Sequence, residues 1–131
     1  MQTLSSQDAF QLSKSFRDIS VWLGNYRFAK WDQMSEEQRR AIEDAEWSLL
    51  NASADIRTVA IGLVLDETHL SYEALQEVTS DAKRTLEQLA AIRKAITIAT
   101  AAVSLAGAIV SRDSGAIVNS ARGLYDAMRE A

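Results

Sequence analysis

The residues of this sequence that could bind a metal gather around its single histidine, His69. Asp66 lies three residues before it and Glu73 four residues after it, so one helical face could offer a nitrogen and two oxygen ligands. However, Ser71 has the features of a helix cap, which would break the helix between Asp66 and Glu73. Bundles that bind two metal ions also need paired Glu-x-x-His motifs, and this chain has none. We therefore predict no metal site and interpret His69 as a solvated loop residue.

Nucleophilic and nucleotide-dependent chemistry also lack the residues they need. The chain contains no cysteine, and its serines have no histidine in a charge-relay context. No glycine-rich phosphate-binding motif occurs. The carboxylates are mixed with Lys and Arg at three- and four-residue spacing, which is typical of solvated helix faces. We predict no catalytic residue and no cofactor. An enzyme site built from scattered carboxylates stays open as an alternative, because it would leave no trace in the sequence.

Charge and composition narrow the class of partner. The 131 residues carry a net charge of −4 and the sequence pI is about 5.0, so the basic excess expected of a nucleic-acid-binding protein is missing. The first residues lack the positive start and apolar run of a secretory signal, and the absence of cysteine fits a reducing compartment. We expect a cytoplasmic protein that does not bind nucleic acid, folded as a single helical-bundle domain over residues 1–131.

Helices are the elements that this sequence favours, because it has no proline, only five glycines, and apolar residues at steps of three and four. Ser5 with Asp8 and Ser35 with Gln38 are spaced as capping boxes. They predict a first helix over residues 6–31 and a second that begins at Ser35 and ends near residue 66. The two helices should bury the stripes Ala9, Leu12, Phe16, Ile19, Leu23, Tyr26 and Ile42, Ala45, Leu49, Ala52, Ile56, Val59, Leu63.

The longest regular pattern runs through residues 75–110, where apolar or small residues recur for ten consecutive steps of three or four. Its members are Leu75, Val78, Ala82, Thr85, Leu89, Ile92, Ile96, Ala99, Val103, Ala106 and Val110. This heptad pattern predicts one long third helix with shallow, antiparallel packing. A short fourth helix over residues 114–129 follows. The predicted fold is all-α, an antiparallel bundle of four helices, three long and one short and C-terminal.

Residues 95–111 carry no charge and place apolar or small residues on every side of the third helix. Such a helix is either central in a protein core or in a membrane. Seventeen residues are at the lower limit for a membrane span, which favours the buried interpretation. The small residues should let neighbouring helices approach closely, so leucine at Ala106 or Gly107 should overpack that contact and cost about 1–3 kcal/mol.

The first two helices carry more apolar residues than one buried face needs. Trp22, Phe28 and Trp31 lie off the main stripe of the first helix, and Trp47 lies off that of the second. Large aromatic residues at helical spacing usually belong to a core. Aromatic residues are also common anchors of protein interfaces, and on that interpretation these four residues form a partner-binding surface.

The pattern as a whole predicts a non-enzymatic protein–protein interaction module, of the adaptor, inhibitor or immunity type, that acts through helix surfaces. The expected partner is another protein or a second copy of the chain, in a homodimer. The alternative is a membrane-active helical protein that inserts or exposes the apolar helix over residues 95–111. Helix-bundle character alone decides neither, because many unrelated functions share it.

Overall fold

The protein folds into packed helices, seen here in a computed structural model that describes residues 3–65, 71–88 and 91–129. The described helices are α1 (Ser6–Ala29), α2 (Glu36–Val59), α3 (Tyr72–Gln88), α4 (Ile92–Ser111) and α5 (Ser114–Arg129). A 3₁₀ turn, Trp31–Gln33, joins α1 to α2. The all-α class is confirmed. The described residues hold five helices rather than the four that the pattern predicted.

The pair formed by α1 and α2 begins as the capping boxes predict. The Ser5 hydroxyl accepts from the Asp8 amide while the Asp8 carboxylate accepts from the Ser5 amide, and Ser35 and Gln38 make the same exchange. Each box satisfies two of the backbone groups that a helix start leaves without partners. Both predicted stripes are buried, with Ala52 and Val59 only partly so.

Two serines fasten α1 to α2 as an antiparallel pair. Ser13 Oγ donates to the Ser53 carbonyl at 2.6 Å, and Ser20 Oγ donates to the Glu46 carbonyl at 2.7 Å. Small side chains at these crossings let the helices approach closely, and the two hydrogen bonds fix their register. Serine was therefore part of the helix–helix contact, although the apolar pattern did not include it.

The predicted end of the second helix near residue 66 is wrong, because α2 ends at Val59. Gly62 has φ of +79°, a left-handed conformation that glycine adopts without strain. The following chain is extended: the Leu4 amide donates to the Leu63 carbonyl, and the Gly62 amide donates to the Leu4 carbonyl. Leu63 is therefore buried as predicted, but it lies in the extended segment that pairs with the N-terminal residues and not in the helix.

The single third helix predicted over residues 75–110 is also wrong. Gln88 is the last residue of α3, and α4 starts after Ala91, whose φ of −83° and ψ of 121° are extended. One rod of this length would reach about 54 Å, while α1 and α2 are about 36 Å long. The far part of such a rod would have no neighbour. Dividing it lets α3 pack on α1 and α5, and α4 on α2 and α5.

Energetics favour the division. In α4, Ile98, Leu105 and Ile109 are fully buried. Burying each of these side chains stabilises the fold by about 1.5–3 kcal/mol. The few backbone hydrogen bonds lost at a helix break have a net value of about 1 kcal/mol each. The gain from burial therefore exceeds the loss of helix continuity.

The buried face of α4 is turned partly away from the predicted stripe, of which Ala99 and Ala106 are buried as predicted. Ile98, Ala102 and Leu105 are buried, whereas Ile96 and Val103, which the stripe included, are half-buried. One row of α4 faces the solvent, so the prediction that residues 95–111 are buried on every side is wrong. That row consists of Arg93, Thr97, Thr100, Ser104, Gly107 and Ser111. Gly107 has no atom within 4 Å of where a Cβ would stand, and so it is not a point of close approach.

By length and composition, α4 is apolar enough to cross a membrane, with a mean hydropathy of 1.6 over its most apolar window. Buried residues make up 44% of that window, so one side of the helix packs in the core.

Arg112 caps the end of α4. It has φ of 58° and donates to the carbonyls of Val59 and Ile61. The last helix, α5, has the predicted bounds and buries Ile117 and Leu124.

Candidate functional site: the outer face of α1 and α2

The largest exposed apolar side chains lie on one pair of helices. Of the eight large hydrophobic residues exposed in the described part of the chain, six belong to α1, α2 or the turn between them. Five of the six define what we call the outer face. They are Phe28, 72% exposed, Trp47, 60%, Phe10, 46%, Trp31, 41%, and Leu50, 40%.

Helical phase places these residues on one side of the pair. Phe10 and Phe28 are 18 residues apart, which is five complete turns, so they project from the same side of α1. On α2, Arg39 and Arg57 are also 18 residues apart, and Leu50 lies within about 20° of their line. Trp47 lies about 80° around the helix from that line and is exposed. The two lines face each other, because Arg57 contacts Phe10 at one end of the α1 line and Arg39 contacts Trp31, which stacks on Phe28, at the other.

Two clusters of arginine and aromatic rings mark the ends of the outer face. At one end, the Arg57 guanidinium lies 5.4 Å from the centroid of the Phe10 ring. At the other end, the Arg39 guanidinium lies 4.4 Å from the Trp31 ring, which stacks on Phe28 at 6.4 Å. Arg39 also donates to the Trp31 carbonyl through Nε at 3.0 Å and Nη2 at 2.6 Å. Cation–π contact of this kind holds both partners in defined orientations.

An ion-pair cluster lies between the two helices near Trp47. Arg27 Nε donates to Glu46 Oε2 at 2.6 Å, Nη2 donates to Glu46 Oε1 at 3.3 Å, and Nη1 lies 3.6 Å from Glu43 Oε2. The hydrogen bond with Glu46 raises the pKa of Arg27 above its ordinary value, against the opposing effect of burial. Gly24 makes room for this cluster, because a Cβ there would stand 2.8 Å from Glu46 Oε1.

Three of the four residues predicted to bind a partner lie on the outer face: Phe28, Trp31 and Trp47. The fourth, Trp22, is half-buried and stacks on Tyr26 at 4.8 Å between ring centroids. Trp22 lines an open groove of about 550 Å³ between α1 and α3, together with Lys83 and Glu87. The structure therefore does not bring Trp22 together with the other three.

Phe10, Leu50, Arg39 and Arg57 were not among the site residues predicted from the sequence. The signal that could have found them is the spacing of 18 residues, which recurs between Phe10 and Phe28 and between Arg39 and Arg57. A search for aromatic residues alone misses it, because half of the repeat consists of arginine.

Besides Arg27, two tyrosines in the described residues have shifted pKa values. Burial raises the pKa of Tyr26, and burial together with the charges of Asp8 and Glu73 raises the pKa of Tyr72. Both phenols therefore stay protonated at neutral pH. Over residues 3–65, 71–88 and 91–129, no three potential metal ligands among His, Cys, Asp and Glu come together. Asp66 and His69 lie outside the described residues.

Comparison of the chain with protein-family models, with curated proteins and with solved structures finds no match.

Proposed function

We propose that this chain is a non-enzymatic protein–protein interaction module, of the adaptor, inhibitor or immunity type, and that it binds its partner through the outer face of α1 and α2. The observation that carries the proposal is the concentration of exposed aromatic side chains there, with Phe28, Trp31 and Trp47 all at least 41% exposed. Soluble monomers rarely leave several large apolar side chains together in water, and such patches commonly bind a partner. Aromatic residues supply much of the binding energy of protein interfaces.

Rigidity of the pair supports the same proposal. The capping boxes fix the starts of both helices, and the Ser13 and Ser20 hydrogen bonds fix their register. Arg27 adds a salt bridge with Glu46 whose two side chains are 13% and 16% exposed. A surface held in this way loses little conformational entropy on binding, which favours affinity.

The first experiment is capture of the partner from an extract of the source cells, with matched variants. We expect Phe28→Ala and Trp47→Ala each to weaken binding of the purified partner by at least about tenfold, as hot-spot anchors do. Tyr125→Ala is the control, because Tyr125 is 52% exposed but lies on α5. Unchanged affinity in both outer-face variants, or loss in the Tyr125 variant alone, would contradict the proposal.

A second copy of the chain is one candidate for the partner. Light scattering coupled to size-exclusion chromatography tests this form of the proposal. A dimer that Trp47→Ala converts to a monomer would identify the outer face as a self-association surface.

Membrane activity of α4 is the second candidate function, and one observation favours it. The exposed hydroxyls of Thr97, Thr100 and Ser104 donate to carbonyls of their own helix, so beyond Arg93 its solvent-facing row presents few unsatisfied polar groups. A helix of this kind loses less on entering lipid than one with charged side chains.

Vesicle binding separates the two candidate functions. Co-sedimentation and dye release would use phosphatidylcholine vesicles with and without phosphatidylglycerol, at neutral and at low pH. Thr100→Glu is the matched variant, because it keeps the charge on the exposed side of α4 while a charge at mid-span disfavours insertion by about 2.5–3.5 kcal/mol. Absence of binding under every condition would exclude this function.

A further inference from the structure

The outer face has a regular layout with an arginine at each end. Arg39 and Arg57 lie 18 residues apart on α2, at the same angle around the helix and about 27 Å apart along its axis. Each guanidinium is next to an exposed aromatic ring, Trp31 or Phe10 respectively. Trp47 and Leu50 lie between them in the sequence.

The two end arginines differ from the charges between them. Arg27 pairs with Glu46 and with Glu43, which leaves this cluster a net charge of −1, and the Glu43 side chain is 52% exposed. In the described part of the chain, neither Arg39 nor Arg57 forms an ion pair. The outer face therefore presents apolar side chains flanked by two cations without an ion pair to any described residue. Arg57 can donate to a carboxylate, and Arg39, whose Nε and Nη2 donate to the Trp31 carbonyl, can do so through Nη1.

We propose that the occupant of this face is an amphipathic helix of another protein, with an acidic residue at each end of its apolar stripe, about five turns apart. This inference rests on the proposed function and adds the chemistry of the partner. A docked helix would cover Trp47, Leu50 and Phe28 with its apolar side chains. It would also take water from the two guanidiniums, and a carboxylate at each end compensates that loss.

The charge layout favours another protein over a second copy. Two copies that pair through this face must be related by a two-fold axis. When the helices of the two copies run along each other, the axis lies in the plane of the interface. An axis across the helices would place Arg39 of one copy opposite Arg57 of the other, and an axis along the helices would place each arginine opposite itself. Both arrangements bring like charges together, which disfavours association.

The test uses synthetic helical peptides of about 22 residues, long enough to span both arginines. The acidic probe has leucines at helical spacing and a glutamate near each end, 18 residues apart. The basic probe has lysine at those two positions, and a scrambled probe keeps the composition of the acidic one but spreads the leucines around the helix. Binding to the full chain is measured by calorimetry and by tryptophan fluorescence.

We expect the acidic probe to bind more tightly than the basic and scrambled probes by at least about tenfold. Arg57→Glu should weaken binding of the acidic probe by about tenfold or more and strengthen binding of the basic probe. Trp47→Ala should weaken both. Arg122→Glu, an exposed charge reversal on α5, is the control and should change affinity by less than about twofold. Circular dichroism checks that each variant is folded.

Other outcomes overturn the inference in distinguishable ways. Equal binding of acidic and basic probes would exclude the carboxylate part, and equal binding of the scrambled probe would exclude the helical stripe. No binding of any probe would overturn the inference, while the capture experiment with Phe28→Ala and Trp47→Ala would still decide the proposed function. A dimer that dissociates in Trp47→Ala would assign the face to a second copy and overturn the inference.

Discussion

Three glycines within the helices of this protein occupy two different environments. Gly107 in α4 and Gly123 in α5 have no atom within 4 Å of where a Cβ would stand. Gly24 in α1 lies against the Glu46 carboxylate, which could not keep its position if a Cβ were present. The first two glycines therefore weaken their helices without a packing role, and the third accommodates the Arg27 ion pair.

Alanine substitutions at these positions should separate the two roles. We expect Gly107→Ala and Gly123→Ala each to raise the free energy of unfolding by about 0.5–1 kcal/mol, because alanine is the better helix former. Gly24→Ala should gain less or lose stability, because Glu46 must move away from Arg27. Urea denaturation of the three variants measures this. A gain at Gly24 equal to that at Gly107 and Gly123 would show that the ion pair contributes little.

Tyr26 makes the free energy of unfolding depend on pH in the alkaline range. Burial raises its pKa in the folded state above the ordinary value of 10.0, so ionisation favours the unfolded chain. The stabilising contribution is fully present below pH 10 and is lost as the pH rises through the folded-state pKa. We expect Tyr26→Phe to reduce the fall in the free energy of unfolding above that pH.

Denaturation of the wild type and Tyr26→Phe on both sides of pH 10 tests this prediction. The difference between the two proteins isolates Tyr26 from the lysines, which titrate in the same region. Identical slopes above pH 10 would contradict it.

Among the elements, α4 distinguishes the observed fold most clearly from the one expected. In a continuous third helix, Ile96 lies on the buried stripe, whereas in the structure Ile98 is fully buried and Ile96 is half-buried. We expect Ile98→Ala to cost about 2–5 kcal/mol, because it leaves a cavity in the core. Ile96→Ala should cost only about 1 kcal/mol.

Thermal and urea unfolding of this matched pair measures the orientation of α4. The two substitutions remove the same atoms from residues two positions apart, so helix propensity affects both equally. A larger cost for Ile96→Ala would show that the predicted stripe is the buried face, as the single long helix requires.

Helix starts were predictable, whereas the break between α3 and α4 was not. Ser5, Ser35 and Ser71 cap their helices through a contact three residues away, which a short sequence window contains. The break has no such local signal, because the apolar rhythm continues through it without glycine or proline. It follows from the lengths of α1 and α2, and therefore from contacts between residues far apart in the chain.

On the scale of the molecule, α1 and α2 form a layer with one covered and one open side. Their inner stripes pack on α3 and α4, while the outer face carries Phe28, Trp31 and Trp47. The surplus of apolar residues on these helices was visible in the sequence. Which of them point outward was not, because Trp22 differs from Trp47 only in the neighbours that tertiary packing provides.

The three tryptophans offer the most direct measurement of the central claim, that the outer face binds the partner. Each indole N–H gives one resonance in a ¹⁵N-labelled sample, and Trp22 serves as an internal control because it lies on the side of α3. On addition of the captured partner, we predict that the resonances of Trp31 and Trp47 shift while that of Trp22 stays in place. A shift confined to Trp22, or no shift in any of the three with the partner bound, would contradict the account.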